Sequence, residues 1–327
     1  MFVKTFKKNY PLQLVLLAII PFLLWFPAFI SSPELVSTSF DMPIYKVIYN
    51  LLSHLKLLST ILAFVLVLLQ GLLINNIFSY NQLCPKTTFL PAFIYILILS
   101  SNYTSMTISP ILISNTFILL AIFFLFRSYD KREGIDEIYN ANLFVALAAL
   151  TFAPSILLIL WVWFSLLNYK QYKWRYWIIS LLGLLTPLIF LIIYYFLNNQ
   201  LFIRLNSFVE NFYHLPNIYF YLKPIHVVFY IGMAIFGLVT LYNTLASKSD
   251  NNISFRKKTN VMAIYSFMAL LPAIYCMEQE ELIFFFAPAF ALQFYNFFFA
   301  KRKLLYSNLI FSLFLLLVIS RVLLTIH

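Results

Sequence analysis

Leu57-Leu58-Ser59-Thr60-Ile61-Leu62-Ala63-Phe64-Val65-Leu66-Val67-Leu68-Leu69-Gln70-Gly71-Leu72-Leu73-Ile74-Asn75-Asn76-Ile77-Phe78 runs for 22 residues without a charged side chain. A helix of about 20 largely apolar residues is what the hydrocarbon of a bilayer requires. The rest of the chain repeats the pattern. On that criterion about eleven spans are predicted. They lie near 11–30, 57–78, 88–104, 108–126, 140–153, 155–168, 177–197, 225–246, 260–276, 282–299 and 304–326. The third is short and ends in a polar run. The fifth and sixth are separated only by Ala153-Pro154-Ser155, and they also read as one helical hairpin inside the bundle. The expected fold class is all-α, a polytopic membrane helical bundle forming a single membrane domain over 1–327.

Composition agrees. Of the 327 residues 63% are hydrophobic, 20% aromatic and 10% charged, with five glycines and a mean hydropathy of +0.89. Soluble domains carry about 25% charged and about 45–50% apolar residues. A chain this poor in charge cannot cover a globule with polar surface. It is too apolar to be disordered, and its two cysteines rule out a disulfide scaffold. Cys84 and Cys276 fall near span ends on opposite faces, which argues against a disulfide between them.

The formal charge is +11. In a soluble protein that would point to nucleic acid, whereas in a polytopic one short cytoplasmic loops retain Lys and Arg. Lys4, Lys7 and Lys8 precede the first span, and Lys86 follows the second. Arg127, Lys131 and Arg132 follow the fourth, and Lys170, Lys173 and Arg175 the sixth. Lys248, Arg256, Lys257 and Lys258 follow the eighth, and Lys301, Arg302 and Lys303 the tenth. All of these fall on one side of an eleven-span weave, leaving Lys46, Lys56, Arg204, Lys223 and Arg321 for the other face or the membrane. The expected topology is therefore N-in and C-out. No nucleic-acid partner is needed to explain the basic balance. The first span is followed by Phe26-Pro27-Ala28-Phe29-Ile30 and ten more spans, so it reads as a retained helix rather than a cleaved signal.

Most loops are too short to fold. Two longer ones, at about 31–56 and 198–224, are assigned to the outer side. In the first, Ile44, Val47, Ile48, Leu51 and Leu52 recur at helical spacing after Pro43, predicting an amphipathic helix in the headgroup region. The second sets Arg204, Glu210, His214 and Lys223 among many aromatics of the kind that line a membrane–water interface. On the cytoplasmic side, Asn168-Tyr169-Lys170-Gln171-Tyr172-Lys173-Trp174-Arg175-Tyr176-Trp177 interleaves cations and aromatics. It reads as an anchor on anionic headgroups, or as a docking site for a cytoplasmic partner or phosphate-bearing lipid.

Several chemistries lack their residues. The histidines, His54, His214, His226 and His327, are scattered, and no HxxxH or CxxC occurs, so no metal site is expected. Ion-coupled transport needs ionisable groups within the spans. The polar residues there are mainly the amides Gln70, Asn75, Asn115, Asn142, Gln293 and Asn296, expected to join helices. Arg321, near the outer end of the last span, is expected to snorkel. No phosphate-cradling or nucleotide motif occurs, and no cofactor is expected. What remains is the outer interface, with Glu34 and Asp41 in its first long loop, Arg204 and His214 in the second, and Glu278, Glu280 and Glu281 in a short turn that reads as solvated.

An acidic residue in the first outer loop, an interfacial helix behind it and a later outer loop after the seventh span resemble, in topology, the lipid-linked-sugar glycosyltransferases of the GT-C type. That likeness covers about the first seven spans. It implies Asp41 as general base with Glu34 as a second carboxylate, and Arg204 with His214 as contacts for a polyprenyl phosphate. Asp41, ahead of Pro43, reads more simply as a helix cap, and Arg204 as a lipid headgroup contact. A second resemblance is one of sequence texture. Leu83-Cys84-Pro85-Lys86-Thr87-Thr88-Phe89-Leu90-Pro91-Ala92-Phe93-Ile94-Tyr95 is similar to an uncharacterised family of polytopic inner-membrane proteins of Gram-negative bacteria. So is Trp174-Arg175-Tyr176-Trp177-Ile178-Ile179-Ser180-Leu181-Leu182-Gly183-Leu184-Leu185-Thr186-Pro187. It implies a fold and a location in the bacterial inner membrane, and no activity. Two functions stay open: an accessory or structural subunit in cell-envelope biogenesis, and a glycosyltransferase-like enzyme using a polyprenyl-phosphate-linked sugar. The expected partners are membrane lipids, a polyprenyl-phosphate lipid among them, or another membrane protein.

Overall fold

Each predicted span coincides with a helix, or a helix and its flanking turn. The computed structural model describes residues 10–35, 37, 42–85, 87–131, 133–202, 204, 206, 224–246, 252–276, 281–299 and 304–326. In chain order the helices are α1 (Tyr10–Ile30), α2 (Pro43–Leu52), α3 (Lys56–Tyr80), α4 (Leu90–Leu99), α5 (Pro110–Asp130), α6 (Ile135–Ala149), α7 (Ile159–Asn168), α8 (Trp174–Leu197), α9 (Pro224–Ala246), α10 (Ile253–Met268), α11 (Leu270–Ile274), α12 (Ala287–Phe299) and α13 (Leu304–Ile326). Short 3-10 turns stand at Tyr103–Ser105, Ala153–Leu158 and Leu282–Phe286. Among the described residues there is no strand. Five helical stretches are long and apolar enough to cross a membrane: Leu12–Ile30, Lys56–Tyr80, Pro110–Asp130, Trp174–Leu197 and Val227–Thr244.

The helices differ in how much of themselves they hide. All of α4 is buried, as expected of a helix that is apolar on every side and enclosed by protein. It packs on α3 and α12, and also touches α1 and α13. By contrast α8 turns Phe190, Phe196 and Leu197 outward, at 70%, 67% and 74% exposure, and α1 does the same with Leu23. In water such faces would drive association; in a bilayer they need no cover, since lipid tails are as apolar as leucine. What holds helices together there is close packing and hydrogen bonds. Gly183 of α8 provides the first: a Cβ at that position would lie 2.4 Å from the Tyr139 carbonyl oxygen of α6, so only glycine permits the observed approach. The second comes from buried amides and hydroxyls. Gln70 donates to Leu112 O and Thr116 Oγ1, both at 2.7 Å, and accepts from Tyr95 Oη at 2.9 Å, joining α3, α5 and α4. Asn115 Nδ2 donates to Phe284 O at 3.0 Å. Asn142 instead bonds within its own helix, to Ile138 O.

The basic loops meet at one end of the bundle. Lys258 near the start of α10 reaches Asp130 at the end of α5 and Asn81 after α3. Gln171, after α7, donates to Ser128 O, and Asn168 to Lys257 O. The loops after α3, α5 and α7 thus share an end with the start of α10. The turn between α5 and α6 closes through Gly134, whose φ of 57° lies in the left-handed region that glycine enters without strain. Both cysteines are free and buried, and burial pushes the Cys84 thiol up to about 12.

Candidate functional site

Between α4 and α5 the chain leaves the helical path for residues 100–109, most of them buried. Buried backbone polar groups need partners, and here the neighbouring helices supply them. Trp25 Nε1 of α1 donates to Ser100 Oγ at 2.8 Å. The backbone N–H of Tyr103 donates to Thr325 Oγ1 of α13 at 3.2 Å. The N–H of Ile108 donates to Ser59 Oγ of α3 at 3.1 Å, while its carbonyl accepts from Tyr45 Oη of α2 at 3.2 Å. The Tyr103 hydroxyl bonds Ser31 at the end of α1. Ser109 then caps α5, accepting from Leu112 N.

Arg321 completes this node. It is fully buried, not snorkelled. Its guanidinium lies 4.4 Å from the Phe229 ring centroid and 4.9 Å from that of Tyr230, and donates to Ser101 Oγ at 3.1 Å and Tyr230 Oη at 2.9 Å. A planar cation held against aromatic rings is partly compensated for lost water. The snorkelling expectation fails because Arg321 shares the buried stripe of α13 with Phe311, Phe314, Val318 and Val322. Spacing of three and four residues puts them on one face, but α13 is so evenly apolar that the sequence does not mark which face is buried.

Beside the node opens an apolar crevice of about 310 Å³, formed by α9, α10 with α11, and the 282–286 turn with α12. Tyr230 lines it and so links the two features. Gly237 admits the Phe290 ring, which would sit 2.7 Å from a Cβ there. Its polar lining includes Ser266 and Gln293, joined by a 2.7 Å hydrogen bond. A second apolar groove lies between α2, the end of α6 and α8, lined by Ile44, Val47, Pro187, Phe190 and Tyr194.

The residues singled out from sequence are placed as follows. Glu34 is exposed and paired with Lys56 at 2.7 Å. The ammonium beside it holds its carboxyl below the usual carboxylate range. Arg204 follows α8 and lies 5.9 Å from the Tyr195 ring. The partners of these two thus belong to different helices, α3 and α8. Asp41 and His214 lie outside the described residues, as do Glu278 and Glu280. Met42 stands at the N-cap position of α2 and makes no side-chain cap hydrogen bond. Glu281 is buried, contrary to the reading of its turn as solvated. The predicted interfacial helix is α2 itself: Tyr45 and Leu52 pack inward while Val47 and Leu51 face out. Among the described residues no group of three or more His, Cys, Asp or Glu could hold a metal ion.

No family model, no curated protein and no solved structure matches this chain.

Proposed function

We propose that this chain is a multi-pass protein of the bacterial inner membrane, crossing about eleven times with its amino terminus in the cytoplasm. In this reading it serves as an accessory or structural subunit in cell-envelope biogenesis. The observation that carries it is where the buried polar groups are used. Arg321, Lys258 and Gln70 each bind groups on other helices of the same chain, fastening the bundle. The meeting of Lys258 with Asp130 supports the weave, because it puts the loops after the fourth and eighth spans at one end.

The test has two parts. Reporter fusions near Lys131 and Lys257 should report the cytoplasm, and fusions after Asn199 the outside; opposite faces for the first two overturn the topology. Purification in mild detergent followed by mass spectrometry should then recover a stoichiometric protein partner. Failure to recover one overturns the subunit reading.

The enzyme reading draws on one observation. The groove between α2 and α8 is lined by Pro43 and Ile44, just after Asp41 in the chain, and by Tyr194, next to the ring that carries Arg204. A polyprenyl phosphate recovered with the protein, and loss of envelope function in Asp41→Ala and Arg204→Ala at normal protein levels, would favour it.

A further inference from the structure

The loop between α7 and α8 is held from one side and presents a row of groups on the other. Asn168 donates to Lys257 O at 2.9 Å, the Tyr169 ring lies 4.9 Å from that of Tyr129, and Gln171 donates to Ser128 O at 3.2 Å. Tyr176 is buried in a small cluster with Ile138 and Leu166. Lys170, Tyr172, Lys173, Trp174 and Arg175 are all exposed. The outward side of the loop therefore consists of three cations and two aromatic rings.

The protein does not answer those charges. At the same end of the bundle Lys131 pairs with Glu137, and Lys258 with Asp130. Among the described residues Lys170, Lys173 and Arg175 form no ion pair, with Glu133 and Asp136 of the turn before α6 or with any other carboxylate. Trp174 also begins an apolar stripe. Trp174, Ile178, Leu182, Leu185, Ile189 and Ile193 recur at intervals of three and four along α8, and each is between 44% and 68% exposed, so one face of the helix is turned away from the bundle. At about 1.5 Å per residue the stripe is about 29 Å long, the thickness of the hydrocarbon core. In a bilayer Trp174 then takes the interface, where indole rings collect, and the three cations fall at headgroup level.

We infer, on the bilayer placement proposed above, that this face binds an anionic phospholipid. The phosphate lies against Lys170, Lys173 and Arg175, and an acyl chain follows the half of the stripe nearest Trp174. Charge and length together select this occupant. Three cations without carboxylates call for an anion, and the apolar stripe continues from them as far as a lipid chain reaches. An acidic protein would meet only the loop.

The test uses the full chain reconstituted into phosphatidylcholine bilayers, with a small fraction of lipid brominated in its acyl chain on a phosphatidylglycerol or a phosphatidylcholine headgroup. Bromine quenches indole fluorescence on contact, and the part due to Trp174 is the difference between wild type and Trp174→Phe. Brominated phosphatidylglycerol should quench Trp174 at a mole fraction about ten-fold or more lower than brominated phosphatidylcholine. Lys173→Gln should lower that preference about five-fold, the scale of one cation near a charged surface. Lys170→Gln/Lys173→Gln/Arg175→Gln should abolish it, and Lys170→Arg/Lys173→Arg should retain it. In wild type, 1 M salt, which shortens the screening length to about 3 Å, should remove the preference without any substitution. Each variant is first shown to melt as wild type does. Equal quenching by the two headgroups overturns the inference and leaves the cations to an acidic protein. A preference that survives the triple substitution or high salt overturns it too, as does a Trp174 that neither lipid quenches. A wild-type chain that stays in the aqueous fraction and does not enter the bilayers would instead overturn the membrane placement, which separates the two failures.

Discussion

Lys258 Nζ donates to both carboxylate oxygens of Asp130, at 2.9 and 2.7 Å, and to Asn81 Oδ1 at 2.9 Å. The two partners are unequal. The lysine side chain is 2% exposed and the aspartate 45%. The aspartate reaches water, and the ammonium depends on the aspartate.

That asymmetry orders a set of variants. Asp130→Asn strands a buried cation and should cost about 3 kcal/mol, at the low end for broken buried pairs because water reaches the site. Lys258→Met leaves a hydrated carboxylate and should cost about 1 kcal/mol or less. The double variant should recover most of the loss. Unfolding midpoints in mixed detergent–SDS micelles measure all three, and a milder effect in Asp130→Asn than in Lys258→Met would contradict the assignment.

Arg321 predicts a failure of conservative replacement. Lysine keeps the charge but cannot reproduce a planar fork that lies against the Phe229 and Tyr230 rings while donating to Ser101 and Tyr230. Arg321→Lys should lower stability by about 2 kcal/mol, and Tyr230→Phe by about 1 kcal/mol through loss of an acceptor for a charged donor. Protease sensitivity of the 100–109 segment should rise in both. Unchanged midpoint and cleavage in Arg321→Lys would mean that the stack contributes nothing.

Gly183 tests packing without charge. A methyl group there meets the Tyr139 carbonyl oxygen at 2.4 Å and Asn142 Cβ at 3.1 Å, and the first is backbone that cannot swing away. Gly183→Ala should therefore cost about 2 kcal/mol as α8 is pushed off α6. At exposed Leu182, on the same helix, alanine should fall within about 0.5 kcal/mol of wild type. The same micelle unfolding series compares them.

Glu34 gives a pH dependence. Lys56 favours its ionised form, so the folded chain releases that proton at lower pH than the unfolded chain does. The contribution of the pair is present above the ordinary carboxylate range and fades as pH falls through the lowered value. Carbon-13 NMR of labelled glutamate, assigned with Glu34→Gln, should show Glu34 titrating below the ordinary glutamate range. Lys56→Ala should return it to the ordinary value. Titration of Glu34 at or above that range in the intact chain would refute the pairing.

How far the sequence could be read differs from residue to residue. The helices stand where runs such as 57–78 and 304–326 put them, and α2 lies where Pro43 and the spacing of Ile44, Val47, Ile48, Leu51 and Leu52 put it. The break after Leu99 was foreshadowed by the polar run Ser100-Ser101-Asn102, though not the helices that would satisfy it. Arg321 was misjudged because α13 is apolar on every side. With no polar face to mark the outside, the buried stripe through Phe314, Val318 and Arg321 has no contrast to stand out against. Lys258 was counted among loop cations; its partner is 128 residues away in the chain. The crevice was invisible for the same reason, since Gln293 and Ser266 come from different helices.

Partition between water and hydrocarbon is a sum over the residues of one segment, so it can be evaluated from that segment alone. By itself the chain therefore determined where the helices stand. Which apolar face meets which is a matter of shape and of a few polar pairs between distant segments. Lipid is as good a solvent for leucine as another helix is, and solvent preference cannot choose the partner. Only the tertiary structure decided that Arg321 turns inward against Phe229 and Tyr230, and that Asp130 holds Lys258.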